Sequence, residues 1–405
     1  MGNVIVIGGG AAGLMAAYAA ASRGQRVVLL EKNEKLGKKI YITGKGRCNV
    51  TNDCPPEEFL ANVVRGGKFL TRAAYAFPPS RTMAFFEEQG LPLKVERGNR
   101  VFPVSDHASD VTKTLERACL RAGVEIRLGE AVLEIERREN AVCAVRTQKA
   151  RCECDSVIVA TGGLSYPSTG STGDGYSFAE AMGHSCVPRV PSLVGIELAE
   201  DVSAAQGISL KNAVLTAKRG KKTVMSEMGE LLFTHYGVSG PLVLTLSALV
   251  NRIPLSEISL SIDFKPALDE KKLEERLLRD FAERKNEMMK NVMRGLLPSG
   301  LNELVLRAAR VSGGKQANSV TKEERRAILT ALKAFPLTPT KLRGYEEAVV
   351  TSGGVELKEI DPATMESKLV KGLFFCGEVL DCDAFTGGFN LQIAFCTGYM
   401  AGENA

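Results

Sequence analysis

Histidine is almost missing from this chain: three in 405 residues, beside ten cysteines that nowhere form a C-x-x-C pair. Zinc sites draw on clustered Cys and His, so no metal centre is expected. A bilayer span needs about 18 consecutive apolar residues, and no such run occurs. The first apolar stretch has no basic segment before it, so no secretion signal is expected. Val6 stands where a myristoylated Met-Gly start needs Ser or Thr. Net charge is +5, too small by itself to mark a nucleic-acid binder. With 44% hydrophobic and 24% charged residues and no biased tract, the chain reads as two or three globular domains. A cytoplasmic protein with no membrane partner is expected.

What is present is organised by the first thirty-one residues. Asn3 to Ile7 is a β-branched apolar run, as in a strand buried on both faces of a parallel sheet. It passes into Gly8-Gly9-Gly10-Ala11-Ala12-Gly13 and an Ala-rich helical segment to about Arg23. A second such run, Arg26 to Leu30, stops at Glu31. The order strand, G-x-G-x-x-G, helix, strand, acid is a dinucleotide fingerprint. Its glycines let backbone approach a pyrophosphate at the helix's positive end. Gly8, Gly10, Ala12 and Gly13 are the candidate contacts, and Glu31 is the candidate acceptor for the adenosine ribose hydroxyls. A carboxylate there repels a 2′-phosphate, so the site suits FAD or NAD better than NADP. Cysteines in a long chain with this motif read as reduced thiols, and Cys152 and Cys154 as packed strand residues.

Lys32 to Asn52 is basic and punctuated by glycine. Either it passes over the cofactor, with Lys32, Lys39, Gly46, Arg47, Cys48 and Asn49 reaching pyrophosphate and flavin oxygens, or it is a solvated loop. An amphipathic helix at 80–90, a hairpin at 94–104, a helix at about 108–122 and three short strands between 124 and 148 follow. Asp155 to Ala160 is another buried strand. It ends in Thr161-Gly162-Gly163, where a cofactor can lie against bare backbone. The Ser/Thr/Gly-rich stretch from Leu164 to Tyr176 is a flavin or substrate loop, or a structural turn; it is not a second fingerprint.

Near Pro188 the texture changes. Alternating runs suggest a small antiparallel β-domain from 191 to 270, then helices from 271 to 334, with a return over 335–344. Residues 271–343 carry 17 basic and 8 acidic side chains, +9 against −4 for the remainder. That is a footprint that attracts phosphate, or a solvated basic face. The α/β texture resumes at 345. A last buried strand, Gly372 to Cys376, meets Gly377-Glu378, where the carboxylate can accept a ribityl hydroxyl. A helix opening at Thr386 to Gln392 presents Gly388, Asn390, Leu391 and Gln392 to the flavin pyrimidine carbonyls. The fold class is therefore α/β: a Rossmann-like FAD-binding domain, 1–190 and 345–405, split by an insertion.

Gly8 to Gly13, Lys45 to Asn52, Ala160 to Gly175, Gly229 to Pro241 and Gly372 to Gln392 together resemble the BaiN/RdsA (YhiN-like) family of FAD-dependent oxidoreductases. The resemblance covers essentially the whole chain, with Glu378 in a place where Asp is usual. It implies that the insertion is a β-barrel-like domain carrying a helical subdomain. It also implies hydride delivery from reduced flavin to an electron-poor C=C. Members are linked to uridine reduction in ribosomal RNA, to reduction of a bile-acid ring, and by name to amine oxidation. The expected function is dihydrouridine formation, with ribosomal RNA met through the basic helical insert. The alternatives are a small-molecule ene-reductase, an amine oxidase and a non-catalytic flavin-dependent RNA-binding factor. With one fingerprint only, NAD(P)H is expected as a transient reductant. Candidate proton donors are Cys48, whose thiolate Arg47 and Lys45 would favour, Cys382 beside Asp381, and His235 with Tyr236. Inert thiols and an ordinary turn are the competing readings.

Overall fold

In the computed structural model, which describes residues 2–405, the expected nucleotide fold is built from both ends of the chain. Its strands are β1 (Asn3–Ile7), β2 (Arg26–Glu31), β3 (Glu125–Leu128), β4 (Ser156–Val159) and β5 (Leu373–Phe375). They lie in the order β5-β4-β1-β2-β3, every neighbouring pair parallel. β1 thus sits at the centre, where successive connections leave in opposite directions and a crevice opens beyond the strand ends. Val4 to Ile7 and Val157 to Val159 are at most 5% exposed, which is why these strands read as unbroken apolar runs.

Three helices position the site: α1 (Ala11–Ser22), α2 (Ala108–Arg121) and α3 (Phe389–Asn404). A Cβ on Gly398 would lie 2.4 Å from the Ala12 carbonyl oxygen, and one on Gly402 2.3 Å from that of Ala16. Bare backbone on α3 therefore lets it lie directly on α1, joining the first and last helices of the chain. The hairpin expected at 94–104 is Leu93–Glu96 with Arg100–Pro103, extended by Thr51–Asn52. The meander comprises Val132–Arg138, Ala141–Thr147 and Arg151–Glu153. Among the few histidines, buried His184 joins Glu359 (3.0 Å) to Ser367 (2.7 Å). The Ser367 oxygen also accepts the Leu369 and Val370 N–H groups, so this chain of side chains fastens a loop.

By compactness the chain divides into Met1–Ser192 with Tyr345–Ala405, and Leu193–Gly344. Each unit has its own apolar core. The second is a seven-stranded antiparallel sheet. Its edge strands, Phe335–Leu337 and Pro339–Leu342, are consecutive in the chain with Thr338 between them. Flat, seven strands would hold those edges roughly 29 Å apart; two residues of chain span only about 7 Å. The sheet must curl until its edges approach one another.

Helices Pro241–Val250, Glu270–Glu283, Met289–Val292, Ser299–Ala308 and Lys322–Lys333 complete this unit. Asp269 caps the second, and Thr321 with Glu324 forms a reciprocal capping box on the last. Among the described residues no helix is long and apolar enough to cross a membrane.

Candidate functional site

The glycine turn is asymmetric. A Cβ on Gly13 would fall 1.8 Å from the Gly8 carbonyl oxygen, one on Gly8 (φ +106°) 2.6 Å from that of Ala160, and one on Gly9 2.4 Å from the Leu36 side chain. These three allow strand, turn and helix to pack. Gly10 differs: a Cβ there would meet nothing within 4 Å. It is the N-cap of α1, and no side chain caps the helix. The first-turn N–H groups of α1 thus face a cradle that even a methyl group would begin to fill, as an anion site requires. Ala12 packs away from that opening, against the backbone of Gly377, where a Cβ would come within 2.7 Å of its methyl.

Glu31, 8% exposed, ends β2 beside this turn. One oxygen accepts the Gly9 N–H at 2.7 Å; the other accepts the Asn33 N–H and side-chain amide, both at 2.7 Å. A carboxylate offers about four lone-pair positions, so three are taken and one is left for a ribose hydroxyl. Two further polar atoms, Thr161 Oγ1 and Asn49 Oδ1, are buried without a protein partner. Gly162 (φ +73°) and Gly46 (φ +86°) keep the adjoining backbone bare. Bare cradle and orphaned oxygens fit a long polar cofactor such as FAD.

The expected cations behave otherwise. Lys32 bonds to Thr172 (2.5 Å) and Asp174 (2.7 Å), and Asn33 reaches the Thr169 carbonyl. Here the Leu164–Tyr176 stretch is a loop tied to the end of β2. Arg47 is held by Glu96 and Asp106 and lies over the Phe102 ring at 4.2 Å. Both corrections have one cause: a carboxylate not adjacent in sequence captures the cation. Lys39 is paired as well, to Glu378 at 2.6 Å and Ser165 at 2.6 Å. Glu378 also accepts Ser165 Oγ (2.6 Å) and the Thr351 N–H (2.8 Å). Burial pushes its carboxyl up, but Lys39 and these hydrogen bonds outweigh burial and hold it below its usual range. Glu378 is thus a half-buried anion in a four-residue network. Ser165 and Thr351, which complete it, carry no signal in the sequence beyond their place at loop and strand ends.

Cys48 is fully buried, and loss of solvent pushes its thiol up to about 12. With Arg47 committed elsewhere, the expected thiolate is overturned. Cys382, 3% exposed, is raised well above a free thiol by burial and by Asp381 and Asp383. Neither thiol is ionised at neutral pH. Sequence reasoning passed over Asp383: it is fully buried, bonded to Ser192 Oγ (3.0 Å), 3.8 Å from Arg65 Nε, and raised by burial to about 6.

At the start of α3, Gly388 (φ +96°) is required because a Cβ would strike the Thr51 backbone at 2.4 Å. The Asn390 side chain is spent on the backbone of Ala384 and Phe385. Gln392, fully buried, holds Thr51, Thr82 and the Phe77 carbonyl. Their side chains brace the helix start rather than face a ligand, a correction to the expected contacts. Leu391, half-buried, leaves its backbone N–H in the first turn of α3. His235 is exposed in the second unit, edge-on to Tyr236 at 5.0 Å. Among the described residues no cluster of acids, histidines and cysteines could hold a metal ion.

A parallel sheet of this order with an open glycine turn and a terminal acid defines the class of dinucleotide-binding Rossmann proteins. The chain belongs to the HI0933-like family: the model described as HI0933-like protein Rossmann domain matches residues 2–404, and the protein is an enzyme of this FAD-dependent oxidoreductase family. It is 32% identical over 411 residues to the 3-dehydro-bile acid delta(4,6)-reductase of Clostridium scindens, covering 100% of this chain and 99% of that one. To the ribosomal RNA dihydrouridine synthase of Haemophilus influenzae it is 33% identical over 402 residues, covering 98% and 96%. Among solved structures, the open conformation of a flavocytochrome c3 fumarate reductase matches with a TM-score of 0.53 and 19% identity. That match covers 100% of this chain and 78% of the other, a likeness of fold.

Proposed function

We propose that this enzyme reduces uridine to dihydrouridine in ribosomal RNA. The observation that carries the reading is the charge of residues 271–343, +9 on a chain whose remainder is −4. A small neutral substrate gives no reason for such a surplus; a polyanion does. The full-length likeness to a ribosomal RNA dihydrouridine synthase supports it. The same reading takes 1–190 and 345–405 as the halves of the FAD domain, and 191–270 with 335–344 as a barrel-like body carrying the helical part at 271–334.

FAD, when bound and reduced by NAD(P)H, would supply the hydride for an electron-poor C=C and return to its oxidised form. The first-turn N–H groups of α1 and the space beside Gly10 would hold its pyrophosphate, and the remaining lone pair of Glu31 a ribose hydroxyl. The first-turn N–H groups of α3 would offer partial positive charge to the oxygens of the ring. Glu378, fixed by Lys39, Ser165 and Thr351, keeps a negative charge and rigid backbone beside Gly377. Both candidate thiols, Cys48 and Cys382, are sealed from solvent, and the third candidate, His235, is exposed. NAD(P)H serves as a transient reductant, and the cytoplasm as the compartment.

Dihydrouridine content of ribosomal RNA from a strain lacking the gene tests the proposal. A specific loss, restored by the intact gene, is expected; an unchanged content refutes it. A small-molecule ene-reductase is the second reading, favoured by the equally full-length likeness to the bile-acid reductase. It requires saturable reoxidation of the reduced enzyme by a conjugated enone, unaffected by RNA. Anaerobic mixing with NADH or NADPH tests the electron source, with bleaching of the flavin band expected.

A further inference from the structure

The cations of the second unit fall into two populations. On its long helices four are cross-linked, Arg276 with Asp280, Arg325 with Glu274, Arg326 with Glu270 and Lys333 with Asp263, while Lys271, Arg279 and Lys322 stand exposed as single charges spread along those helices. Such pairs neutralise one another and leave little field outside. Between 284 and 318 the balance is different, with seven basic and two acidic side chains. One of those two acids, Glu287, is already bound by Arg284. Lys285, Lys290, Arg294 and Arg310 are all exposed, and no carboxylate lies within ion-pair distance of any of them among the described residues.

Backbone pairing gathers these four. Lys290 donates its N–H to the Gly313 carbonyl at 3.0 Å, and Asn318 donates to the Lys285 carbonyl at 2.9 Å. Met288 and Gln316 form an antiparallel bridge. Segment 285–294 therefore runs beside 313–318. Gly313 lies so close that a Cβ there would sit 3.4 Å from that of Lys290. Arg294 follows Lys290 by four residues through consecutive helical turns, so both project from one face. Arg310, in the left-handed region at φ +57°, ends helix Ser299–Ala308 and leads into the Ser312–Gly314 turn. Backbone pairing thus brings these like charges onto neighbouring segments, none of them held in an ion pair, and basic side chains outnumber acidic ones there seven to two.

We infer that Lys285, Lys290, Arg294 and Arg310 form the docking surface for the RNA phosphate backbone. This rests on the RNA reading above and adds to it where the polyanion is held. The surface grips without reading sequence: lysine and arginine ends meet phosphates as charges, and base identity must be recognised elsewhere. Binding is then dominated by counter-ion release and falls steeply with salt.

The test uses the full chain carrying FAD, and protein-free ribosomal RNA in filter binding from about 50 to about 300 mM KCl. Replacing all four cations by Gln (K285Q, K290Q, R294Q and R310Q together) should lower the slope of log K against log salt by about 3 and weaken binding at least about 30-fold near 150 mM. A comparison variant, K218Q with K221Q and K222Q, removes exposed lysines from the end of the hairpin formed by strands Ser209–Arg219 and Lys222–Phe233; its slope should change little. FAD content and melting temperature should stay at the wild-type value in both. Wild-type binding retained by the fourfold variant, or a greater loss in the comparison variant, overturns the docking surface and leaves the RNA reading standing. Failure of the wild-type enzyme to bind RNA, or equal competition by polyglutamate, removes both.

Discussion

Gly10 and Gly13 belong to one glycine pattern, yet the structure gives them separable tasks. Gly13→Ala places a methyl carbon 1.8 Å from the Gly8 carbonyl oxygen, backbone against backbone with no side chain to yield. Either α1 leaves β1 or the turn unravels, and a loss of at least about 4 kcal/mol is expected even without cofactor. Gly10→Ala meets nothing within 4 Å, and Gly10 already sits at φ −85°, where alanine is at ease. The apoprotein should lose no more than about 1 kcal/mol, the usual cost of alanine at an N-cap. The added methyl occupies the mouth of the anion cradle. Displacing a pyrophosphate oxygen from one or two charge-assisted N–H contacts costs about 3 kcal/mol, or roughly 100-fold in FAD affinity. Quenching of FAD fluorescence on titration gives the affinity, and thermal melting of the apoproteins gives the stability. A Gly10→Ala protein that binds FAD within about threefold of wild type, or whose apoprotein melts as low as that of Gly13→Ala, refutes the division of labour.

Asp383 has a folded pKa of about 6, above its unfolded value, so it stabilises the fold at low pH and loses that contribution as pH rises through about 6. Asp383→Asn should therefore gain roughly 3 kcal/mol relative to wild type in urea unfolding at pH 8 and nothing at pH 4; equal effects at both would contradict burial as the cause. Removing Lys39 leaves Glu378 as an uncompensated anion. Lys39→Met should cost roughly 2 kcal/mol, below the value for a sealed pair because the two side chains keep 23% and 18% exposure. The double variant with Glu378→Gln should recover most of that. His184, pushed down by burial against the pull of Glu359, contributes stability that is complete above about pH 6.5 and fades on acidification. Amide exchange over 356–370 should accelerate first as pH falls. Native enzyme should not be alkylated by iodoacetamide at Cys48 or Cys382 at pH 8, and Cys48→Ser should retain turnover within about twofold; rapid labelling at either thiol would reverse their dismissal as proton donors.

Much of the fold was legible because it is written locally. The β-branched runs at Asn3–Ile7, Arg26–Glu31 and Ser156–Val159 and the glycine turn each carry their signal within a few residues. The return of the α/β texture after 345 was equally visible in composition. Partnership was not legible. Whether Arg47 reaches a phosphate or Asp106, and Lys32 a cofactor or Asp174, depends on residues 59 and 142 positions away. The same holds for Gln392, whose partners Thr51 and Thr82 lie more than 300 residues upstream. Cys48 fails as a thiolate for a related reason: its charged sequence neighbours point outward while the thiol points in. Local chemistry identified polar residues near the site, and long-range pairing decided which are committed to holding it together.

The second unit leaves and rejoins the chain at neighbouring points. Ile196 pairs with Leu342 near its two ends, while on the other body Ser192 pairs with Val350. Each body is thus zipped shut at its own side of the junction. The second unit is therefore one continuous stretch of sequence whose ends close on each other, and insertions or deletions within it leave the threading of the nucleotide fold unchanged.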